Sequence, residues 1–140
     1  MNMLINKLKN HLLLDEGYRQ FPYKCSAGKL TIGIGRNIQD VGISKEESEY
    51  LLENDIMKSI VDLREIFENF DSLPEDVKYV LANMRFQLGY GTFRKFKNFI
   101  KAIKTESFDE AAIEMKDSLW SKQVSNRANR LISIMKSIKE

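Results

Sequence analysis

Few side chains in this sequence could do chemistry at neutral pH, and several of them stand close together. The stretch DEGYRQFPYKCSAGKLTIGIGRN, residues 15–37, opens on two adjacent acids and holds the single cysteine, Cys25. Three of the seven glycines, Gly28, Gly33 and Gly35, fall within eight of its residues. The lone histidine, His11, sits on an amphipathic segment beside Leu12 and Leu13, where packing or surface exposure suits it better than work as a base. One cysteine and one histidine are too few for a zinc site, and one cysteine cannot close an internal disulfide. The G-I-G of TIGIGRN lacks the third glycine of a dinucleotide loop, because Ile38 stands in its place and no βαβ unit follows. Neither a G-x-x-x-x-G-K-[ST] loop nor an H-E-x-x-H pair occurs. Acids, a hydroxyl and a thiol remain.

Asp15 and Glu16 close a predicted helix. Neighbours on a helix diverge by about 100°, so the two cannot serve one site together. Acids at a helix C-terminus also oppose the dipole, which calls for a tertiary partner. Arg127 and Arg130, three apart on one predicted helical face, are candidates. A partly dry cleft would raise a carboxyl pKa, as a general acid near neutral pH requires, whereas an arginine partner would lower it. The sequence leaves that balance open.

These residues need elements to hold them. A chain of 140 residues, 43% hydrophobic and 30% charged, suits one domain, or one domain with two small lobes, around a sizeable core. A formal charge of +2 does not by itself imply nucleic-acid binding. Basic residues do crowd locally, at Arg94, Lys95, Lys97, Lys101 and Lys104, and again at Lys122, Arg127, Arg130, Lys136 and Lys139. Solvated helix faces are the plain reading of most of these; the functional one is a mild attraction to a polyanion such as a bacterial wall. No apolar run approaches the 18 residues of a membrane span. Leu4, Ile5, Leu8 and Leu12 form an amphipathic helix rather than the apolar run of a signal peptide, so retention in the cytoplasm is expected.

Beyond residue 40 the pattern is helical. Ser44 and Glu47 form a capping box, and Leu52, Ile56, Ile60, Leu63 and Phe67 continue one long helix to about Phe70. Asp71–Pro74 breaks it. Val77, Val80, Leu81 and Met84 mark the next helix, ending near Gly89. Phe93, Phe96, Phe99, Ile100 and Ile103 mark another, and Phe108, Ala111, Ala112 and Met115 a further one. Ser125 or Asn126 caps a last helix carrying Ala128, Leu131, Ile134, Met135 and Ile138. Strand signals are confined to Tyr18–Tyr23 and Leu30–Ile34, joined by a turn at Ser26-Ala27-Gly28. Gly33 and Gly35 leave one face of the second strand bare, which admits close approach by a backbone or a flat ligand. The class is α+β: a small N-terminal lobe with a short antiparallel sheet, joined by a long helix to a helical lobe, with a cleft between lobes as the expected ligand site.

The 23-residue stretch resembles the N-terminal signature of the bacteriophage-type lysozymes or endolysins, family 24 of the glycoside hydrolases. That pattern is a Glu, eight residues, an Asp or Cys, five residues and a Thr, and Glu16, Cys25 and Thr31 fit it. GISKEESEYLLENDI, ANMRFQLG, FDEAAIEMKDSLW and SNRANRLI resemble successive later segments of the family. The resemblance implies a single lysozyme-like domain over 1–140, with lobes of about 13–60 and 61–140 beside the N-terminal helix. It implies hydrolysis of the β-1,4 bond between N-acetylmuramic acid and N-acetylglucosamine. Glu16 would be the general acid and Thr31 would place a water on the opposite face of the sugar. Gln87, Trp120 and Arg127 would lie near substrate, and Arg127 and Arg130 would pair with Glu16 and Asp15. No cofactor or metal is implied. The expected partners are peptidoglycan glycan strands met by a monomer, without nucleic acid or stable membrane association, and a holin-type partner for release. The chain is shorter than the best-known member between Asn37 and Ser44, and Arg36 stands where some members have histidine. Cys25 removes the second carboxylate of a two-acid scheme, which leaves three roles for the thiol: base or electrostatic stabiliser, nucleophile, or polar spacer. The rival reading is a non-catalytic glycan-binding module on the same fold.

Overall fold

The computed structural model describes residues 1–138; Lys139, counted above among the basic residues, lies outside them. The chain is α+β, with a three-stranded antiparallel sheet near its start and helices elsewhere. It divides into two compact units, Met1–Tyr50 and Leu51–Glu140.

The first unit opens with α1 (Asn2–Glu16), which Gly17 terminates at φ 71°, its N–H donating to the Leu13 carbonyl at 2.9 Å. Nothing within this unit buries the stripe of Leu4, Ile5, Leu8 and Leu12. Strand β1 (Arg19–Lys24) pairs with β2 (Leu30–Gly33), and β2 pairs with β3 (Arg36–Asn37). The register sets Tyr23 opposite Thr31 and Lys24 opposite Leu30, with an irregularity between Arg19 and Tyr23. Pro22 lies in that gap and has no N–H to give the ladder. The third strand was not expected. A hairpin turn after Gly33, with Gly35 at φ 71°, folds the chain back, so Gly35 belongs to a turn rather than to a bare strand face.

Helix α2 (Lys45–Ile66) begins at the expected capping box: Glu47 N–H donates to Ser44 Oγ at 3.0 Å and Ser44 N–H to Glu47 Oε1 at 2.8 Å. It stops short of Phe70, where a 3₁₀ turn over Phe70–Ser72 intervenes. Pro74 immediately precedes α3 (Glu75–Leu88). The single helix expected around Phe93–Ile103 is two, α4 (Tyr90–Phe93) and α5 (Lys97–Lys104), since the aromatics on both sides of the break turn into one core. After α6 (Phe108–Asp117) comes an unforeseen short helix, α7 (Leu119–Gln123), capped by Ser118 Oγ, which accepts from Ser121 N–H at 3.2 Å. The last helix, α8 (Ser125–Lys136), has Val124 at its N-cap and no side-chain cap, so the expected capping by Ser125 or Asn126 is corrected.

The buried apolar residues run from Leu63 to Met135, all in the second unit. Phe67, Phe93 and Phe99 stack edge to face, with centroids 6.3 and 6.2 Å apart. Such contacts are each worth about 0.5–1.5 kcal/mol beyond area burial. Arg85 on α3 holds Asp62 on α2, with Nε 2.9 Å from Oδ2 and both side chains mostly buried.

Candidate active site

Glu16 is the last residue of α1, and its carboxyl group lies against the turn between β2 and β3. A β-carbon built on Gly35 would stand 2.8 Å from Glu16 Oε2 and 2.9 Å from its Cδ. Glycine is therefore required there twice, for its positive φ and for the space the acid occupies.

Thr31 lies on the central strand and is the one buried polar residue of the first unit, at 3% exposure. Its Oγ1 donates to the Lys29 carbonyl at 2.9 Å, and the same carbonyl accepts the Cys25 N–H at 2.9 Å. One backbone oxygen thus ties the thiol residue to the hydroxyl residue. The turn closes with Gly28 N–H donating to the Cys25 carbonyl at 2.8 Å. Backbone N–H groups of Lys29 and Ala27 hold the Cys25 thiol below its ordinary pKa; the Thr31 hydroxyl adds to this and partial burial opposes it. A depressed thiol carries more thiolate at neutral pH.

Behind the acid's turn lies an ion pair the sequence did not reveal. Arg36, next to Gly35, grips Glu47 with both guanidinium nitrogens, Nη1 reaching Oε1 at 2.9 Å and Nη2 reaching Oε2, and Nη1 also donates to the Gly42 carbonyl at 3.1 Å. The Arg36 side chain and the Ser44 N–H together lower the Glu47 carboxyl pKa to about 2. Two further contacts shape the short segment before α2. Asp40 N–H donates to Asn37 Oδ1 at 3.1 Å, and Leu30 N–H donates to Gln39 Oε1 at 3.0 Å. The capping box was legible; its glutamate's second duty to Arg36 was not, because helix signals say nothing about a distant guanidinium.

The other named residues lie in the second unit. Trp120 is buried, and its indole N–H donates to Gln87 Oε1 at 2.9 Å. Gln87 is exposed, and its side-chain carbonyl is held by the buried indole. Arg127 donates from Nε to Asn83 Oδ1 at 2.8 Å and from Nη2 to the Asn83 carbonyl at 3.4 Å. Asn83 escaped the sequence reading, since a lone asparagine on an amphipathic helix carries no signal of its own. Beside Arg127 and Asn83, Leu52, Ile56, Tyr79 and Phe86 line an apolar concavity of about 270 Å³. Arg130 is exposed on α8. Among the described residues no group of three or more His, Cys, Asp or Glu could hold a metal, and no helix is long and apolar enough to cross a membrane.

The chain is 33% identical over 163 aligned positions to a probable T4-type lysozyme 2 of Dictyostelium discoideum, covering 96% of each chain. It is 31% identical to a probable T4-type lysozyme 1 of the same organism, again over 96% of each. It is 28% identical to the pre-baseplate central spike protein Gp5 of Enterobacteria phage T4, over 86% of this chain and 26% of that one. Residues 14–134, which include Glu16, Cys25, Thr31, Gln87, Trp120 and Arg127, match the family model described as phage lysozyme. The chain belongs to the phage lysozyme family.

Proposed function

We propose that this chain is a peptidoglycan hydrolase, a muramidase that cleaves the β-1,4 bond between N-acetylmuramic acid and N-acetylglucosamine. Membership of the phage lysozyme family and relatives named as T4-type lysozymes support this reading. The observation that carries it is the first unit's arrangement: an exposed Glu16 carboxyl seated on Gly35, and Cys25 and Thr31 tied through the Lys29 carbonyl.

In the proposed reaction Glu16 protonates the glycosidic oxygen, and the bond to the anomeric carbon breaks as positive charge develops on the sugar. The Thr31 hydroxyl oxygen keeps lone pairs that accept a hydrogen bond from water. A water so held turns an oxygen lone pair toward the anomeric carbon. Its released proton passes to the Cys25 thiolate, and solvent returns both groups to their starting states. Cys25 is a base and electrostatic stabiliser in this scheme, not a covalent nucleophile, and the first product is the α-anomer. Gln87 contacts the glycan, and Trp120 steadies Gln87 from the core. Arg127, held by Asn83, completes the substrate contacts. No cofactor takes part. The enzyme works as a monomer on glycan strands of the wall, reached from the host cytoplasm with a holin-type partner, and host lysis is the outcome.

Wild type and Glu16→Gln, assayed together on chloroform-treated Gram-negative cells and on purified peptidoglycan, test the reading. Wild type should release muramic-acid reducing ends, and the variant should lose roughly 10²-fold or more in rate. A wild type that binds walls without cutting them would leave a glycan-binding module instead. An active Glu16→Gln would remove the assigned acid, and a sugar trapped covalently on Cys25 would overturn the thiol's role.

A further inference from the structure

The second unit carries a row of cations that the hydrolytic reading does not use. On α5, Lys97, Lys101 and Lys104 follow one another at spacings of four and three, which gathers them on one helical face over roughly 10 Å. The opposite face, Phe99, Ala102 and Ile103, is buried in the core. Arg94, just before α5, joins Lys97 and Lys104 around a concavity of about 430 Å³. All four cations are exposed and, among the described residues, none is in a salt bridge. The Arg94 guanidinium lies over the Tyr90 ring, 5.3 Å from its centroid, and both side chains line the concavity. Glu65 and the half-buried Ile66 and Ile100 complete the wall.

We propose that this concavity binds a polyol-phosphate polymer, a chain of phosphodiesters linking small alditols such as a bacterial wall displays. The cations meet the phosphates, Ile100 meets the carbon backbone, and Glu65 accepts from the alditol hydroxyls. An anionic bilayer fits less well: insertion needs an exposed apolar face, and that of α5 is committed to the core. A single-stranded nucleic acid needs an open aromatic platform, and the aromatic lining this concavity, Tyr90, is covered by Arg94. Binding here stands apart from hydrolysis, so its test reads binding alone.

The fluorescently labelled full chain is titrated with soluble poly(glycerol phosphate) at low and at physiological salt. Replacing Arg94, Lys97 and Lys104 together by Gln should weaken binding about tenfold and flatten its salt dependence, with the near-ultraviolet dichroism unchanged. A charge-matched control, Lys7, Lys9 and Lys136 to Gln, should bind within about twofold of wild type. Lys97→Glu alone, at an exposed position, repeats the test should the triple variant unfold. Three results would overturn the proposal: site variants that bind as wild type does, a control that loses as much, or a wild type that prefers phosphatidylglycerol vesicles or poly(dT) to the polymer.

Discussion

The two units hold their shapes by different means. In Leu51–Glu140 the described residues bury a continuous apolar set from Leu63 to Met135, built on stacked Phe67, Phe93 and Phe99. In Met1–Tyr50 no apolar side chain is buried, and the one side chain withdrawn from water is the hydroxyl-bearing Thr31. There the geometry comes from ladder hydrogen bonds, a shared carbonyl at Lys29, glycines at positive φ and the Arg36–Glu47 pair. The difference teaches that the proposed acid, thiol and hydroxyl depend on backbone closure, while the core determines whether the helical unit folds. Polar closure is directional and individually weak; apolar burial is non-directional and collectively strong.

Breaking each side of this comparison should give effects of graded size. The largest is expected at the core. Phe93→Ala removes the ring that contacts both Phe67 and Phe99, and should cost about 3–5 kcal/mol in denaturant unfolding followed by the Trp120 signal. A cost under about 1 kcal/mol would mean that the stacked rings do not bear the second unit's stability.

Next in size is Gly35→Ala. It forces a left-handed backbone on alanine and drives a methyl group into Glu16, a strain of about 1–3 kcal/mol. Wall-cutting activity should fall about tenfold or more, while hydrogen exchange at Leu81, Met84 and Leu131 stays as in wild type. Loss of protection in those core amides would show that the two units are not separable in this way.

A smaller effect is expected from Glu47→Gln. Because the folded-state pKa of Glu47 is depressed to about 2, the carboxylate contributes stability fully above its ordinary value of 4.5, and that contribution fades as pH falls toward 2. Both partners are partly exposed, so solvent screening keeps the contribution at neutral pH small. The variant should flatten the acid limb of stability between those two pH values, and an unchanged acid limb would remove Arg36–Glu47 as a clamp on the turn.

The smallest shift belongs to Cys25. Its thiol is depressed, so the thiolate needed by the proposed scheme should be lost as pH falls through that lowered value. Cys25→Ser should retain measurable activity and lose this ionisation from the pH–rate profile. An identical profile in the variant would reduce Cys25 to a spacer.

Much of the helical unit was legible because its signals are local and periodic: Val77, Val80, Leu81 and Met84 on α3 fall on the face they were expected to bury. The breaks were less legible. The expected run through Phe93 and Phe99 is two helices, because both rings turn into the same core and a single straight helix could not direct them there. Glycines misled in the first unit: alternation suggested a bare strand face at Gly35, whereas its positive φ makes a turn and β3 follows. Ala27 and Lys29 could not be singled out as donors to Cys25, since every residue has a backbone N–H and only the turn aims it.

The sequence by itself determined the α+β class, the helical faces, the capping box at Ser44 and Glu47, and the spacing of Glu16, Cys25 and Thr31, all of which follow from residue type and interval along the chain. Only the tertiary structure decided that Glu16 rests on Gly35, that one carbonyl joins Cys25 to Thr31, that Glu47 answers Arg36, and that Trp120 and Asn83 hold Gln87 and Arg127. Those contacts join residues up to 44 positions apart. They depend on distance and direction in space, which no periodicity along a chain encodes.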